Sequence, residues 1–202
     1  MRSLLTSFLI TLTLTNTSSA GTASLEAGKY NIDPMHSKVG FEVAHLVIAT
    51  VEGKFKTFSG VIMIDEKFEN SRLDAEVDIS SIDTSVKDRD DHLKSPDFFD
   101  VTKFPKMTFK STSISGKPES FKLTGDLTLK GKTKKVTFDA TYKGTATDAY
   151  KNIKAAFTAT TKISRKEFGL NWSKLVEVGP VVGDEITIDL KIQAAKEVAS
   201  KK

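Results

Sequence analysis

Chemistry would first be sought at histidine, and the 202 residues hold three, His36, His45 and His92, with no cysteine. A catalytic triad or metal centre must bring its members to within about 3 Å of one another. His36 and His45 are nine residues apart, which matches no compact metal motif, and thiolate ligands are missing. His45 shares the parity of Val39, Phe41 and Val43, so it either projects inward at a strand end or is a hydrogen-bonded histidine near the core. Arg89-Asp90-Asp91-His92, with Asp88 and Asp97 close by, gathers acids and bases enough for general acid/base work. Such charges on a short helix more often pair with one another in solvent. Gly-x-Ser-x-Gly is absent, and so is any glycine loop that cradles phosphate. The expectation is a protein with no catalytic residue, metal or cofactor of its own, and catalysis by the Arg89–His92 cluster is the alternative.

The elements that must hold these residues are strands. From about Gly28 onwards the pattern has a period of two, cleanest in Leu73-Asp74-Ala75-Glu76-Val77-Asp78-Ile79, where odd positions are apolar and even ones charged. It recurs around Val39–Val43, Phe58–Ile64, Met107–Phe109, Phe121–Leu129, Val136–Tyr142, Ala155–Ile163 and Ile186–Ile192. A short leading strand near Tyr30–Asp33 brings the count to eight or nine. Turn residues separate several of them, at Gly116-Lys117-Pro118, Gly131-Lys132, Gly144, Gly179-Pro180 and Gly183-Asp184. Such short spacings favour antiparallel hairpins. Helix is expected only over Lys87–Lys94, ended by Ser95-Pro96, with a further turn around Ala44–Thr50. One-sided sheets are buried by stacking or by closing into a barrel, and about eight strands favour the barrel. The fold expected is an all-β, antiparallel, eight-stranded barrel. Asp74, Glu76, Asp78, Thr187, Asp189 and Lys191 on the polar faces belong in water, unlike the lipid-facing band of an outer-membrane barrel.

Composition narrows the class further. Met1-Arg2-Ser3, the uncharged run Leu4–Leu14 and Ser18-Ser19-Ala20 have the layout of a secretory signal peptide, cut before Gly21 or else after Ala23. The apolar run is too short to span a bilayer, and without cysteine the chain cannot be acylated as a lipoprotein. Residues 21–202 are long enough for one domain, exported and soluble, with no membrane span. Thirty Lys+Arg against 26 Asp+Glu are interspersed, so no basic face for nucleic acid is visible.

Phenylalanine, 13 of 202 residues, carries the remaining information. Phe41, Phe58, Phe109, Phe121, Phe138 and Phe157 fall on the inward parity. They could pack a filled core or line a tunnel for an apolar chain. Periodicity reports which face is dry and never whether the space behind it is empty.

Specific motifs favour the tunnel. Tyr30-Asn31-Ile32-Asp33 and His36–Leu46 resemble the opening of the YceI-like family of polyisoprenoid-binding proteins, and Gly53-Lys54-Phe55-Lys56-Thr57-Phe58-Ser59-Gly60 resembles its G-x-F-x-x-F-x-G element. Ile79–Thr84, Arg89–Asp100, Phe104-Pro105, Gly125–Lys134 and Ser164–Leu170 are similar to further family elements, in the family's order. The resemblance implies a lipocalin-like barrel, exported to the periplasm, that holds a long isoprenoid such as a polyprenyl or quinone lipid and has no consensus metal site. On inward parity within these segments, Phe41, Val43, Phe58, Ile62, Met107, Phe109, Phe157 and Ile163 are expected to line it. Phe98, Phe99, Phe168 and Trp172 are expected to close an end, with His45, Arg89 and His92 at a polar head group or the rim. The segment 171–183 departs from the pattern, and Trp172 and Gly179-Pro180 would reshape one mouth. A monomer and a homodimer of two barrels sharing a mouth both fit.

Overall fold

The structure, a computed structural model, describes residues 24–176 and 179–197. The export signal expected over residues 1–20 lies outside them. Alternating side chains produce strands β1 (Gly28–Ile32), β2 (Lys38–His45), β3 (Ala49–Phe55), β4 (Phe58–Ile64), β5 (Arg72–Asp78), β6 (Ile82–Asp83), β7 (Lys106–Lys117) and β8 (Ser120–Leu129). They continue as β9 (Lys132–Thr147), β10 (Ile153–Ser164), the small hairpin β11 (Leu175–Val176) with β12 (Gly179–Pro180), and β13 (Val182–Lys196). Among the described residues one α-helix, α1, spans Lys87–Lys94 as the sequence indicates. Among the described residues no helix is long and apolar enough to cross a membrane.

Three of the eight strands expected from sequence are bent in the middle. β1 and β2 form one, β3 and β4 the next, β5 and β6 the third, because β1 pairs with β4 while β2 pairs with β3, and β4 and β3 pair onward with β5 and β6. The meander then continues through β7, β8, β9 and β10 to β13, every pairing antiparallel. β13 closes the ring by bonding β2 along Val182–Lys191 and β1 along Ala194–Lys196. The result is the eight-stranded barrel, closed so that its strands leave no long free edge.

The bends lie side by side, at a 3-10 turn over Pro34–His36, at Lys56-Thr57, and at a second 3-10 turn over Ile79–Ser81. Each interrupts the ladder and frees backbone groups that need partners. Ser81 supplies them at the second bend: its Oγ accepts the N–H groups of Lys56 (3.1 Å) and Thr57 (3.0 Å) and donates to the Asp78 carbonyl at 2.6 Å. Ser37 does the same at the first, donating to the Gln193 carbonyl at 3.2 Å and accepting from the Gln193 N–H at 2.9 Å.

Three expectations need correction, the first being that Gly179-Pro180 and Gly183-Asp184 are not turns but strand, in β12 and β13. The turn looked for around Ala44–Thr50 is a hairpin tip at residues 46–48, and β3 follows it. β3 escaped notice because Gly53 interrupts its apolar alternation, and Gly53 faces Phe41 across the pair, one large and one small residue sharing the width of the barrel. Gly144 is likewise no turn. It sits inside β9 opposite Ala156, beside the bulge at Ala156-Phe157, and the reversal comes at Asp148–Asn152, where the Asp148 carboxylate accepts the N–H groups of Tyr150 and Asn152.

Removing the Ser81 hydroxyl tests the stitching of the bends. Ser81→Ala is expected to lower stability to denaturant by about 1–2 kcal/mol, whereas Ser81→Thr, which keeps the oxygen, costs less than half of that.

Candidate functional site: a row of apolar cavities inside the barrel

All six phenylalanines on the inward parity point into the ring, where three cavities follow one another. A cavity of about 110 Å³ at one end is walled by Phe41, Val43, Phe55, Phe98, Phe99 and Ile163, among others. The middle one, of about 100 Å³, is walled by Phe58, Phe109, Phe138, Leu73, Leu127 and their neighbours. The third, of about 70 Å³, lies among Ile62, Ile64, Phe121, Phe157 and Leu190. Their walls present carbon almost throughout. Val39, Met107 and Ile188 belong to both the end and middle cavities, and Ile32, Leu73, Leu123, Leu190 and Ile192 to both the middle and third. The partitions are therefore side chains, not backbone. Met107 has a flexible thioether that fills or vacates such a gap at little cost.

The G-x-F-x-x-F-x-G element acquires a physical reading here. Phe55 and Phe58 flank the Lys56-Thr57 bend, one ring in the end cavity and the other in the middle. A Cβ at Gly53 would overlap the Phe41 ring, and one at Gly60 would stand 2.7 Å from Ile32 Cδ1 and 2.9 Å from the Asp74 carbonyl. Both glycines thus make room for tunnel-lining side chains on the facing strand. Gly125 plays the same part under the Phe109 ring.

Each end of the row of cavities is closed differently. Beyond the third cavity, Tyr30, Ala155 and Ala194 are fully buried, and the Tyr30 hydroxyl donates to the Glu26 carbonyl at 2.9 Å. Burial, the largest influence, raises the pKa of that phenol. At the opposite mouth, Phe98, Trp172 and His92 form a mutual aromatic cluster with centroids 5.0–5.2 Å apart. Phe98 and Phe99 line the end cavity, Trp172 packs on Phe98, and Phe168 is buried below.

Arg165, which sequence reading did not single out, holds this mouth together. Only 3% exposed, its guanidinium donates from Nε to the Gly183 carbonyl (2.7 Å) and from Nη2 to that of Val182 (3.2 Å). Nη1 donates to Trp172 O at 2.8 Å and also to Leu170 O. One side chain thereby pins the segment bearing Trp172 to the start of β13. Burial, the dominant influence, lowers its pKa, and the negative charge of Asp184 opposes this. Asp184 is itself anchored. Burial alone would raise its pKa, but hydrogen bonds from Ser164 Oγ (2.8 Å) and the Lys166 N–H (3.1 Å) outweigh it and hold the carboxyl below its ordinary value. Nothing in the Ser164–Leu170 motif set Arg165 apart, since its neighbours Lys166 and Glu167 are exposed charges.

The polar candidates stand apart from the cavity walls. Arg89 donates to Thr84 from Nε (2.8 Å, to Oγ1) and Nη2 (2.8 Å, to the carbonyl), while Thr84 bonds Asp90. His92 Nε2 lies 3.0 Å from Asp97 Oδ2, and Asp91 pairs with Lys87. Of α1, only Leu93 reaches the end cavity. His45 is half-buried at the end of β2, opposite Val182, and it, too, lines none of the three cavities. Among the described residues no group of three or more His, Asp or Glu side chains is arranged to hold a metal ion.

Arg165→Met leaves four carbonyls without their donor and is expected to destabilise the fold by roughly 3 kcal/mol, with a red shift of Trp172 fluorescence. Asp184 makes a pH-dependent contribution. Its folded pKa is depressed, so the stability it confers is present above the unfolded value of about 3.9 and is lost as pH falls through the folded value. The stability gap between wild type and Asp184→Asn, followed by denaturant titration, should therefore be widest near neutrality and shrink below about pH 4.

Known proteins share this architecture. Residues 30–194 match the YceI-like domain. Protein YceI of Salmonella newport is 34% identical over 179 residues, which cover 87% of this chain and 91% of that one. The crystal structure of Burkholderia cenocepacia BcnA superposes with a TM-score of 0.71 at 26% identity, covering 80% of this chain and 98% of the other. A polyisoprenoid binding domain from Saccharophagus degradans, implicated in plant cell wall breakdown, superposes at 0.59 with 13% identity over 85% of this chain and all of that one, a likeness of fold. With a closed antiparallel barrel around an apolar axis and a domain match over nearly the whole described length, the chain belongs to the YceI-like family.

Proposed function

We propose that the barrel binds a long-chain isoprenoid lipid of the polyprenyl or quinone type, or a similar amphiphile, and carries or sequesters it in the periplasm after export. The observation that carries this reading is the row of three apolar cavities divided only by side chains. A filled core would have no reason to keep its voids in line. Each compartment is smaller than the roughly 150 Å³ that holds benzene in an engineered core, so a linear chain with a methyl branch on each unit would enter by turning the partitioning side chains aside and joining the compartments. Binding would draw on burial of the chain, about 0.8 kcal/mol per CH₂, with no bond made or broken. The Saccharophagus domain, described as polyisoprenoid-binding, lends support through shared fold. The aromatic mouth of Phe98, Phe99 and Trp172 is the natural place for a head group, with the tail running towards Tyr30.

Organic extraction of the purified protein, with mass spectrometry of the extract, is expected to release a prenyl lipid. A polyprenol or quinone added to stripped protein should raise the unfolding temperature. Met107→Trp, which fills the junction of two cavities, should abolish that rise while leaving the protein folded. Empty extracts together with no stabilisation by either lipid would sink the proposal. Phe41→Ala and Phe157→Ala separate it from a filled barrel that serves as a protein-binding module. A packed core would lose roughly 3–5 kcal/mol at each, whereas a tunnel loses less stability and more lipid affinity.

A further inference from the structure

The wall of the barrel is interrupted between its first two bent strands. β1 and β4 stay in register as far as Asn31–Val61, β2 and β3 resume at Val39–Phe55, and among the described residues no ladder pair joins residues 32–38 to residues 56–60. The break has a cause in the sequence. The next pair in register after Val39–Phe55 would set Lys38 directly opposite Lys56, and like charges facing one another across a ladder are destabilising. The two bends accordingly turn to opposite neighbours. Asp33 and Ser37 bond Gln193 of β13, whereas Lys56 and Thr57 bond Ser81, and the Lys56 ammonium lies 3.6 Å from Asp83 in β6. Outside the slit left between them is a cleft of about 500 Å³, with Pro34, Ser37 and Lys38 on one lip and Phe55, Lys56 and Phe58 on the other. Behind it lies the middle cavity, whose wall takes Ile32 and Val39 from the first strand and Phe58 and Ser59 from the second.

We propose that this slit is a side port through which the prenyl lipid enters and leaves the barrel, an inference that rests on the lipid-binding reading above. Phe58 lines both the cleft and the middle cavity, and Phe55 both the cleft and the end cavity, so each stands between solvent and the interior where no ladder closes the gap. Ile32 reaches across the slit over Gly60, which has no side chain to oppose it. The flank is favoured over the ends by what each would have to break. Turning Ile32 and Phe58 aside costs apolar contacts alone, and such rotations are fast. The aromatic mouth, by contrast, is tied by Arg165 to four carbonyls, and the far end is sealed by a fully buried Tyr30 bonded to Glu26. The approach is also apolar: Met35, on the Pro34–His36 bend, is 88% exposed, and Val86, next to Ser85 at the cleft, is 47% exposed. Lys38, Lys54 and Lys56 share the cleft with Glu52 and Asp83, so it offers access and no built site for an anion. Once inside, the head group has one partition to cross, at Val39, Met107 and Ile188, to reach the mouth, and the tail one, at Ile32, Leu73 and Leu123, to reach the Tyr30 end.

A plug tests the port. The chain has no cysteine, so one introduced by Lys38→Cys or Lys56→Cys on either lip, or by Lys174→Cys beside Trp172 at the mouth, can be capped uniquely with a bulky polyethylene glycol maleimide. Phylloquinone, a prenyl quinone, is delivered in detergent micelles to lipid-stripped protein, and its uptake and release are followed by quenching of Trp172, the single tryptophan. A cap on either lip is expected to slow uptake and release alike by about tenfold or more and to leave Kd unchanged, since a barrier on a route acts equally in both directions. The cap at the mouth should alter neither rate by more than about twofold. Two lips give two independent caps, so a cap that lowers the unfolding temperature of one variant leaves the other to decide. The port is overturned if the mouth cap slows exchange while the lip caps do not, if no cap slows it, or if the lip caps change Kd with the uptake rate intact. These outcomes leave lipid binding standing. Wild type that binds phylloquinone at no concentration, by quenching or by thermal stabilisation, overturns the binding reading and the port with it.

Discussion

Ring closure through β13 is the constraint on which everything else hangs. One strand of 15 residues must bond β10 along one edge and, along the other, β2 and then β1, which diverge at the Pro34–His36 turn. It manages this with a bulge between Val182 and Ile186 and by giving up ladder contacts at Gln193, where the Ser37 hydroxyl and the Asp33 N–H step in. Once the ring is shut, each strand has an inside that water does not reach, and the parity of every side chain is decided together with its neighbours. Surface pairs such as Lys106–Glu76 and Lys162–Glu185 decorate the outside and contribute little beyond solubility.

How much room remains inside is set by pairings of large with small. Phe41 over Gly53, Ile32 against Gly60 and Phe109 over Gly125 let aromatic and branched side chains reach the axis without bursting the ring. Elsewhere large residues meet large ones, as where Phe109 and Phe138 pack edge to face with centroids 5.4 Å apart. The cavities lie between such layers. The interior therefore owes its shape as much to three absent side chains as to the phenylalanines present.

The fold was legible because a closed sheet with one wet and one dry face leaves a period of two, and the stretch Leu73–Ile79 shows it without interruption. The short α1 was visible from its polar run and the Ser95-Pro96 stop. β3 was not, since Gly53 removes an apolar signal for a reason that lies on another strand. Gly144 misled for the opposite reason: glycine accommodates a positive φ inside β9 as readily as in a turn. For the site, the inward phenylalanines were readable from parity, and their arrangement into consecutive cavities was not, because volume depends on rotamers and partners across the ring. Arg165 is the instructive omission. A cation beside Lys166 and Glu167 reads as surface until the four carbonyls around it, drawn from residues 170–183, are brought into place by the fold.

The side-chain partitions between cavities also bear on kinetics. An occupant moving along the axis would meet gates built from Met107, Val39 and Ile188, then from Ile32, Leu73 and Leu123, whose rotations are far faster than the separation of hydrogen-bonded strands. Passage becomes a series of low steps, one per gate, instead of one high opening of the wall. A stable, permanently closed sheet would then be no obstacle to exchange of the proposed lipid, whose time inside would be governed by how many gates its tail had passed.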